Sequence, residues 1–181
     1  MSSPEKQLIS KPPADMTLMD VFEQLGDKVN VNYIKQYLHS VNLNEELGGE
    51  EIELMVFDKH GTQEENHTFI NEQGLSLEVD PKRVLYMAAV LHKKAIDGNL
   101  NEAESNLYNI FKTKFVRFGS GSAGVNVNDN GVLNANDNYN PSNNKGVPCA
   151  ARPELLSLFF FLFKAFNPAS EHTSNFIRIT L

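Results

Sequence analysis

Tryptophan is absent from the 181 residues and cysteine occurs once, at Cys149. A single thiol excludes an internal disulfide framework and a zinc site built from several thiolates, and it suits a reducing compartment. Positive charge is also scarce: 16 Lys and Arg against 23 Asp and Glu leave a formal net charge of -7. No global field therefore draws the chain to nucleic acid or to an anionic membrane. Long apolar runs are lacking as well. The longest, LLSLFFFLFKAF from Leu155 to Phe166, is far short of the roughly twenty residues a bilayer span needs, so no membrane span is expected. The opening stretch, MSSPEKQLISKPPADM, is broken by charges and prolines; no secretory signal is read there, and a cytoplasmic or virion location is expected. The histidines His39, His60, His67, His92 and His172 show no metal-ligating spacing and no nucleophile–base order is legible. Neither a cofactor nor an enzymatic activity is expected.

What is present is enough apolar residue, 41% of the chain against 22% charged, to fold as one domain. The pattern predicts a mainly α protein with a small antiparallel β element, an α+β arrangement. It divides into a flexible N-terminal arm over 1–15, a helical core with the small sheet over 16–118, a long Gly/Ser/Asn-rich loop over 119–148, and an apolar C-terminal helix and short strand over 149–181. Thr17 can cap a helix whose Leu18, Val21, Phe22 and Leu25 share one face and which Gly26 ends. A second helix is expected from about Asn32 to His39. Asp80 and Pro81 open the strongest helix, with Val84, Leu85, Ala88, Leu91, His92 and Ala95 on its apolar stripe and Gly98 at its end. Asn101 with Glu104 forms a capping-box signal for another, running to about Phe118. Ile52, Leu54 and Val56 alternate as a strand does, and His67–Ile70 and Leu75–Val79 are the expected hairpin partners.

Three stretches carry candidate chemistry. In YNIFKTKFVRFGSG, aromatics interleave with Lys112, Lys114 and Arg117, cations for phosphate and rings for stacking. Together with Arg152 these are the candidate nucleic-acid contacts. The same stretch matches only the second half of the signature of RNA-recognition motifs, and the surrounding pattern does not fit that fold. In NVNDNGVLNAND, Asn126, Asn128 and Asn130, Gly131 and Asp137 fall at the spacing of a calcium loop. The stretch loosely resembles the loops of EF-hand and dockerin proteins, but its first three ligands are amides rather than carboxylates, so a solvated turn-rich loop is the plainer expectation. Gly119, Gly121 and Gly124 satisfy G-x-G-x-x-G without the strand before and helix after that a dinucleotide site requires, so a hinge is expected there.

Phe159, Phe160, Phe161, Phe163 and Phe166 crowd one apolar helix beyond what a single face can bury, which points to self-association. The expected function is a self-assembling structural protein, a coat or nucleocapsid-like subunit whose partners are copies of itself and a nucleic-acid backbone, with single-stranded RNA as the candidate. Two alternatives stand beside it. One is a monomeric peptide-binding adaptor or regulatory domain; the other is a weak calcium-binding module over Asn126–Asp137.

Overall fold

Capping signals nucleate the helices. Thr17, Thr62 and Asn101 each accept a hydrogen bond from the backbone N–H three residues on, and Asp20, Glu65 and Glu104 reach back to the cap residue's own N–H. Each such reciprocal box satisfies two otherwise orphaned donors, a contribution of about 1 kcal/mol. The capping hydrogen bonds hold the Asp20 and Glu65 carboxyls below their usual range. Asp80 caps without a reciprocal partner, accepting from the Lys82 N–H two residues on, with Pro81 at the first helical position.

In the computed structural model, which describes residues 6–78, 80–119, 123–136 and 146–151, the elements follow in this order. They are β1 (Lys6–Ser10), α1 (Leu18–Leu25), a 3-10 turn (Gly26–Lys28), α2 (Val31–Tyr37), β2 (Ile52–Val56), α3 (Gln63–Glu72), β3 (Ser76–Leu77), α4 (Pro81–Ile96), α5 (Glu102–Thr113), β4 (Phe115–Arg117), β5 (Gly124–Val127), β6 (Leu133–Asn136) and β7 (Gly146–Ala151). The expectation of a mainly helical protein with a small β element is corrected. Seven strands form one curled mixed sheet, ordered β1-β2-β7-β4-β5-β6 with β3 also on β7.

Four local differences from the expected elements accompany that correction, beside the central strand β7. Residues 6–10 of the expected arm are β1, paired antiparallel with β2 from Lys6 opposite Val56 to Ser10 opposite Ile52. The expected strand at His67–Ile70 lies in α3, because the Thr62–Glu65 capping box starts a helix there. The expected helix over Phe115–Phe118 stops at Thr113, and Phe115–Arg117 continues as β4. Within the expected loop, β5 and β6 form a hairpin, with Val125 opposite Ala135 and Val127 opposite Leu133. The segments 1–5, 137–145 and 152–181 lie outside the described residues, and with them the expected C-terminal helix and strand.

The sheet is covered on both faces where β2 and β7 cross its middle. Ile52, Leu54 and Val56 of β2, with Val147 and Cys149 of β7, join Leu18, Phe22, Leu85, Leu91 and Phe111 in the main core. On the other face Met55, Phe57 and Ala150 meet Phe69 and Ile70 of α3. Burying a leucine- or phenylalanine-sized side chain contributes roughly 1.5–3 kcal/mol, so this two-sided core is the main source of stability. Pro148 sits in the sheet where β7 changes partners: Gly146–Pro148 pair parallel with β4, and Cys149–Ala151 pair with β2 and β3. There a missing N–H is tolerated, and its carbonyl still accepts from Phe57 N–H at 3.2 Å.

The second face of β4 is packed against glycine. Phe115 and Arg117 point away from Val116 and are buried. A Cβ on Gly124 would lie 2.4 Å from the Phe115 ring, and one on Gly146 would lie 1.7 Å from Arg117 Nε. Two large side chains of one strand therefore cross the backbones of its two neighbours. The start of β7 is further pinned because the Gly146 carbonyl accepts from Gly61 N–H at 3.1 Å and from buried Asn66 Nδ2 at 3.2 Å.

The sheet's two edges differ. At β6, Val29 bridges to Leu133, and Asn30 N–H donates to the Leu133 carbonyl at 2.8 Å. At the other end β1 has β2 as its one strand partner among the described residues.

Candidate nucleic-acid interface

The α5–β4 junction sets the positions of the basic residues. Lys112 is in the last turn of α5, where a cation meets the negative end of the helix dipole. Lys114 caps the helix in an extended conformation, its N–H returning to the Ile110 carbonyl at 2.8 Å. From there the strand alternates, so Phe115 and Arg117 fall on one face, Val116 on the other, and Lys114 at the rim.

Opposite the junction stands the β5–β6 hairpin. Its tip is closed by the Asn128 side chain, whose Oδ1 accepts from the Asn130 and Val132 N–H groups, each at 3.0 Å. Gly131, at φ 68°, supplies the left-handed residue that the turn requires. Asn126 and Asn134 face each other across the ladder. The calcium-loop spacing is thus folded as a hairpin: its first and ninth positions are cross-strand neighbours, and the oxygen of its third is engaged by the backbone. Asp137 lies outside the described residues, and among those described no three of His, Cys, Asp and Glu gather where they could share a metal ion.

Between junction and hairpin lies an open cleft of about 470 Å³, whose lining includes His60, Lys112, Lys114, Asn126, Asn128 and Asp129, together with Phe115. His60 arrives from the loop between β2 and α3. Lys114 Nζ donates to His60 Nε2 at 2.6 Å and stands 3.9 Å from Asp58 Oδ1. An ammonium has no lone pair, so His60 accepts through Nε2 and carries its proton on Nδ1. Asp129 in the cleft lining and Asp58 beside Lys114 set carboxylates near the two lysines.

Of the four basic residues singled out by sequence, the three among the described residues do not form one strip. Lys112 and Lys114 share the cleft. Arg117 is corrected as a surface contact, since it is 2% exposed and burial lowers its pKa; it lies across the Gly146 backbone on the face of β4 opposite Val116. Arg152 lies outside the described residues, as do Phe159, Phe160, Phe161, Phe163 and Phe166. The cleft gains two contributions that sequence spacing could not reveal: His60, which is 54 positions from Lys114, and the asparagines of the hairpin.

The remaining titratable groups of note are structural. His92 is buried, donating from Nε2 to the Lys28 carbonyl at 3.0 Å and accepting at Nδ1 from the Tyr108 hydroxyl at 2.8 Å. Burial lowers its pKa and raises that of Tyr108. Cys149 is fully buried, and burial, reinforced by the charge of Glu78, pushes its thiol well above the usual range. Glu78 is itself buried and ion-paired to Arg83 Nε at 3.0 Å. No helix among the described residues is long and apolar enough to cross a membrane. Compared with protein-family models, curated proteins and solved structures, the chain matches none at a significant level.

Proposed function

We propose that the protein is a non-enzymatic structural subunit of coat or nucleocapsid type, which associates with copies of itself and contacts a single-stranded nucleic-acid backbone through the cleft. The observation that carries this reading is the convergence of Lys112, Lys114 and His60 with the amide side chains of Asn126 and Asn128 in one open, mostly polar hollow. Lysines supply phosphate contacts, and asparagine amides can donate to phosphate or sugar oxygens without reading sequence. Asp58 and Asp129 offset the lysines, so the site would bind modestly alone; many copies along one strand would add their affinities through a high effective concentration. The edge of β1, which has no second strand partner among the described residues and where Ile9 is 52% exposed, offers backbone groups for contact between copies.

That edge also favours a second reading, an adaptor that takes an extended peptide as an added strand on β1. Light scattering combined with the ultraviolet absorbance ratio of the purified protein separates the two. Concentration-dependent particles with nucleic-acid absorbance support the structural subunit. A steady 20.3 kDa species free of nucleic acid would refute it and leave the adaptor.

A further inference from the structure

A single strand of nucleic acid is held by base stacking as well as by phosphate contacts, so rings are needed beside cations. The rings nearest the basic residues do not serve: Phe111, Phe115 and Phe118 are buried, and the Tyr108 hydroxyl is hydrogen-bonded to His92. Exposed rings stand instead on α2. Tyr33 is 45% exposed, and Tyr37, four positions on and therefore on the same helix face, meets it edge to face with ring centres 5.7 Å apart and planes at 78°. This contact steadies the Tyr33 ring while leaving it in solvent. A ring on two rotatable bonds, held in place before a ligand arrives, loses little entropy on binding.

The charge around these rings suits a polyanion. From Lys28 to Asn44 the chain carries two lysines and no carboxylate, in a protein whose formal net charge is -7. Lys35 is exposed on α2, and Asp27, just before this stretch, lies 3.5 Å from Lys28 Nζ. The placement suits it too, because α2 and the cleft flank the same hairpin. Val29 bridges to Leu133, Asn30 N–H donates to the Leu133 carbonyl at 2.8 Å, and Leu133 pairs with Val127 in the cleft lining. Two strand spacings, about 10 Å, separate Val29 from Val127. Tyr33 lies in the first turn of α2, its N–H donating to Asn30 Oδ1 at 3.1 Å, which adds about 5 Å. A strand advancing about 3.4 Å per nucleotide spans that distance in roughly five nucleotides.

Resting on the nucleic-acid reading above, we infer that Tyr33, steadied by Tyr37, is a base-stacking platform for the same single strand whose phosphates contact the cleft.

The experiment is fluorescence anisotropy at pH 8, across a salt series, with a labelled adenine-rich RNA of about 12 nucleotides and an abasic strand of the same length. The full chain is compared with Tyr33→Ala, Tyr33→Phe and the double variant Lys112→Ala/Lys114→Ala. Tyr33→Ala is expected to weaken binding of the RNA about tenfold, the scale of one lost stack, at every salt concentration. The slope of log K against log salt should stay unchanged, since no phosphate contact is lost. Tyr33→Phe, which keeps the ring, should bind as wild type, and on the abasic strand wild type and Tyr33→Ala should be equal. Wild-type affinity of Tyr33→Ala for the RNA would overturn the platform while leaving the cleft in place. An equal loss on both strands would overturn it as well, marking Tyr33 as a residue of the fold. Loss of concentration-dependent particles by Tyr33→Ala with RNA binding intact, read by light scattering, would overturn it in favour of a contact between copies. A wild type that binds neither strand, or a double lysine variant that binds both as wild type does, would overturn the nucleic-acid reading itself.

Discussion

Replacing Gly146 by alanine tests the packing that holds the sheet together. The added Cβ would lie 1.7 Å from Arg117 Nε, 2.5 Å from its Cδ and 2.7 Å from its Cζ. All three are far inside van der Waals contact, so either the strand or the arginine must move. The strand is restrained at that residue, since its carbonyl is held by Gly61 N–H and Asn66 Nδ2. The arginine is buried, 2% exposed, and cannot swing into water without disturbing its neighbours. Overpacking of this kind costs about 1–3 kcal/mol, and losing one of the carbonyl's hydrogen bonds adds about 1 kcal/mol. Urea denaturation should therefore show Gly146→Ala destabilised by roughly 2–4 kcal/mol, with the midpoint lowered and the slope unchanged. Gly131→Ala is the comparison: no atom lies within 4 Å of its Cβ, and only the left-handed φ of 68° opposes it, for about 1–2 kcal/mol. A Gly146→Ala protein within 0.5 kcal/mol of wild type, on the scale of an inconsequential surface change, would refute the description of β4 and β7 as packed through this contact.

Two further outcomes follow from buried groups. Burial lowers the His92 pKa below its unfolded value of about 6.5, so the unfolded chain binds the extra proton. The stability tied to neutral His92 is complete above that value and is lost as pH falls below it, by at most about 1.4 kcal/mol per pH unit until the folded pKa is reached. Thermal melts between pH 7.5 and 5.5 should show this decline in wild type and a flatter profile in His92→Gln; parallel profiles would contradict it. Cys149, buried and with its thiol pushed upward, should resist a thiol reagent in native buffer and react rapidly in urea, whereas fast labelling of the native protein would contradict the placement of β7 in the core.

The elements legible in the sequence are those whose signals are local. Thr17, Asp80 and the Asn101–Glu104 pair mark helix starts because a cap is satisfied within four residues, and the structure places α1, α4 and α5 there. The sheet was hidden because its ladders join distant segments: β7 pairs with β2 about ninety positions away, and nothing local in VPCAA announces a central strand. The hairpin had a readable signal that composition masked. Val125, Val127, Leu133 and Ala135 alternate with polar residues around a turn containing Asn130-Gly131, but the density of asparagine suggested a loop. The Thr62–Glu65 box is equally readable, but the apolar Phe69–Ile70 pair also suits a strand and competes with it. For the site, Lys112 and Lys114 were legible as basic residues near a helix end. That Arg117 shares a face with Phe115 follows from ending α5 at Thr113, because a strand period sends alternate side chains to opposite faces; its burial comes from the Gly146 backbone of β7, which only the fold brings beside β4. His60 could be joined to Lys114 only by the fold.

The salt dependence of binding tests the central claim most directly. For single-stranded RNA at pH 8, two lysine contacts give a slope of log K against log salt of about −1.4, and Lys112→Ala/Lys114→Ala should bring it close to zero with weaker binding throughout. An unchanged slope and affinity in that variant, or a wild-type protein that binds no RNA at low salt, would contradict the assignment of the cleft as a nucleic-acid contact.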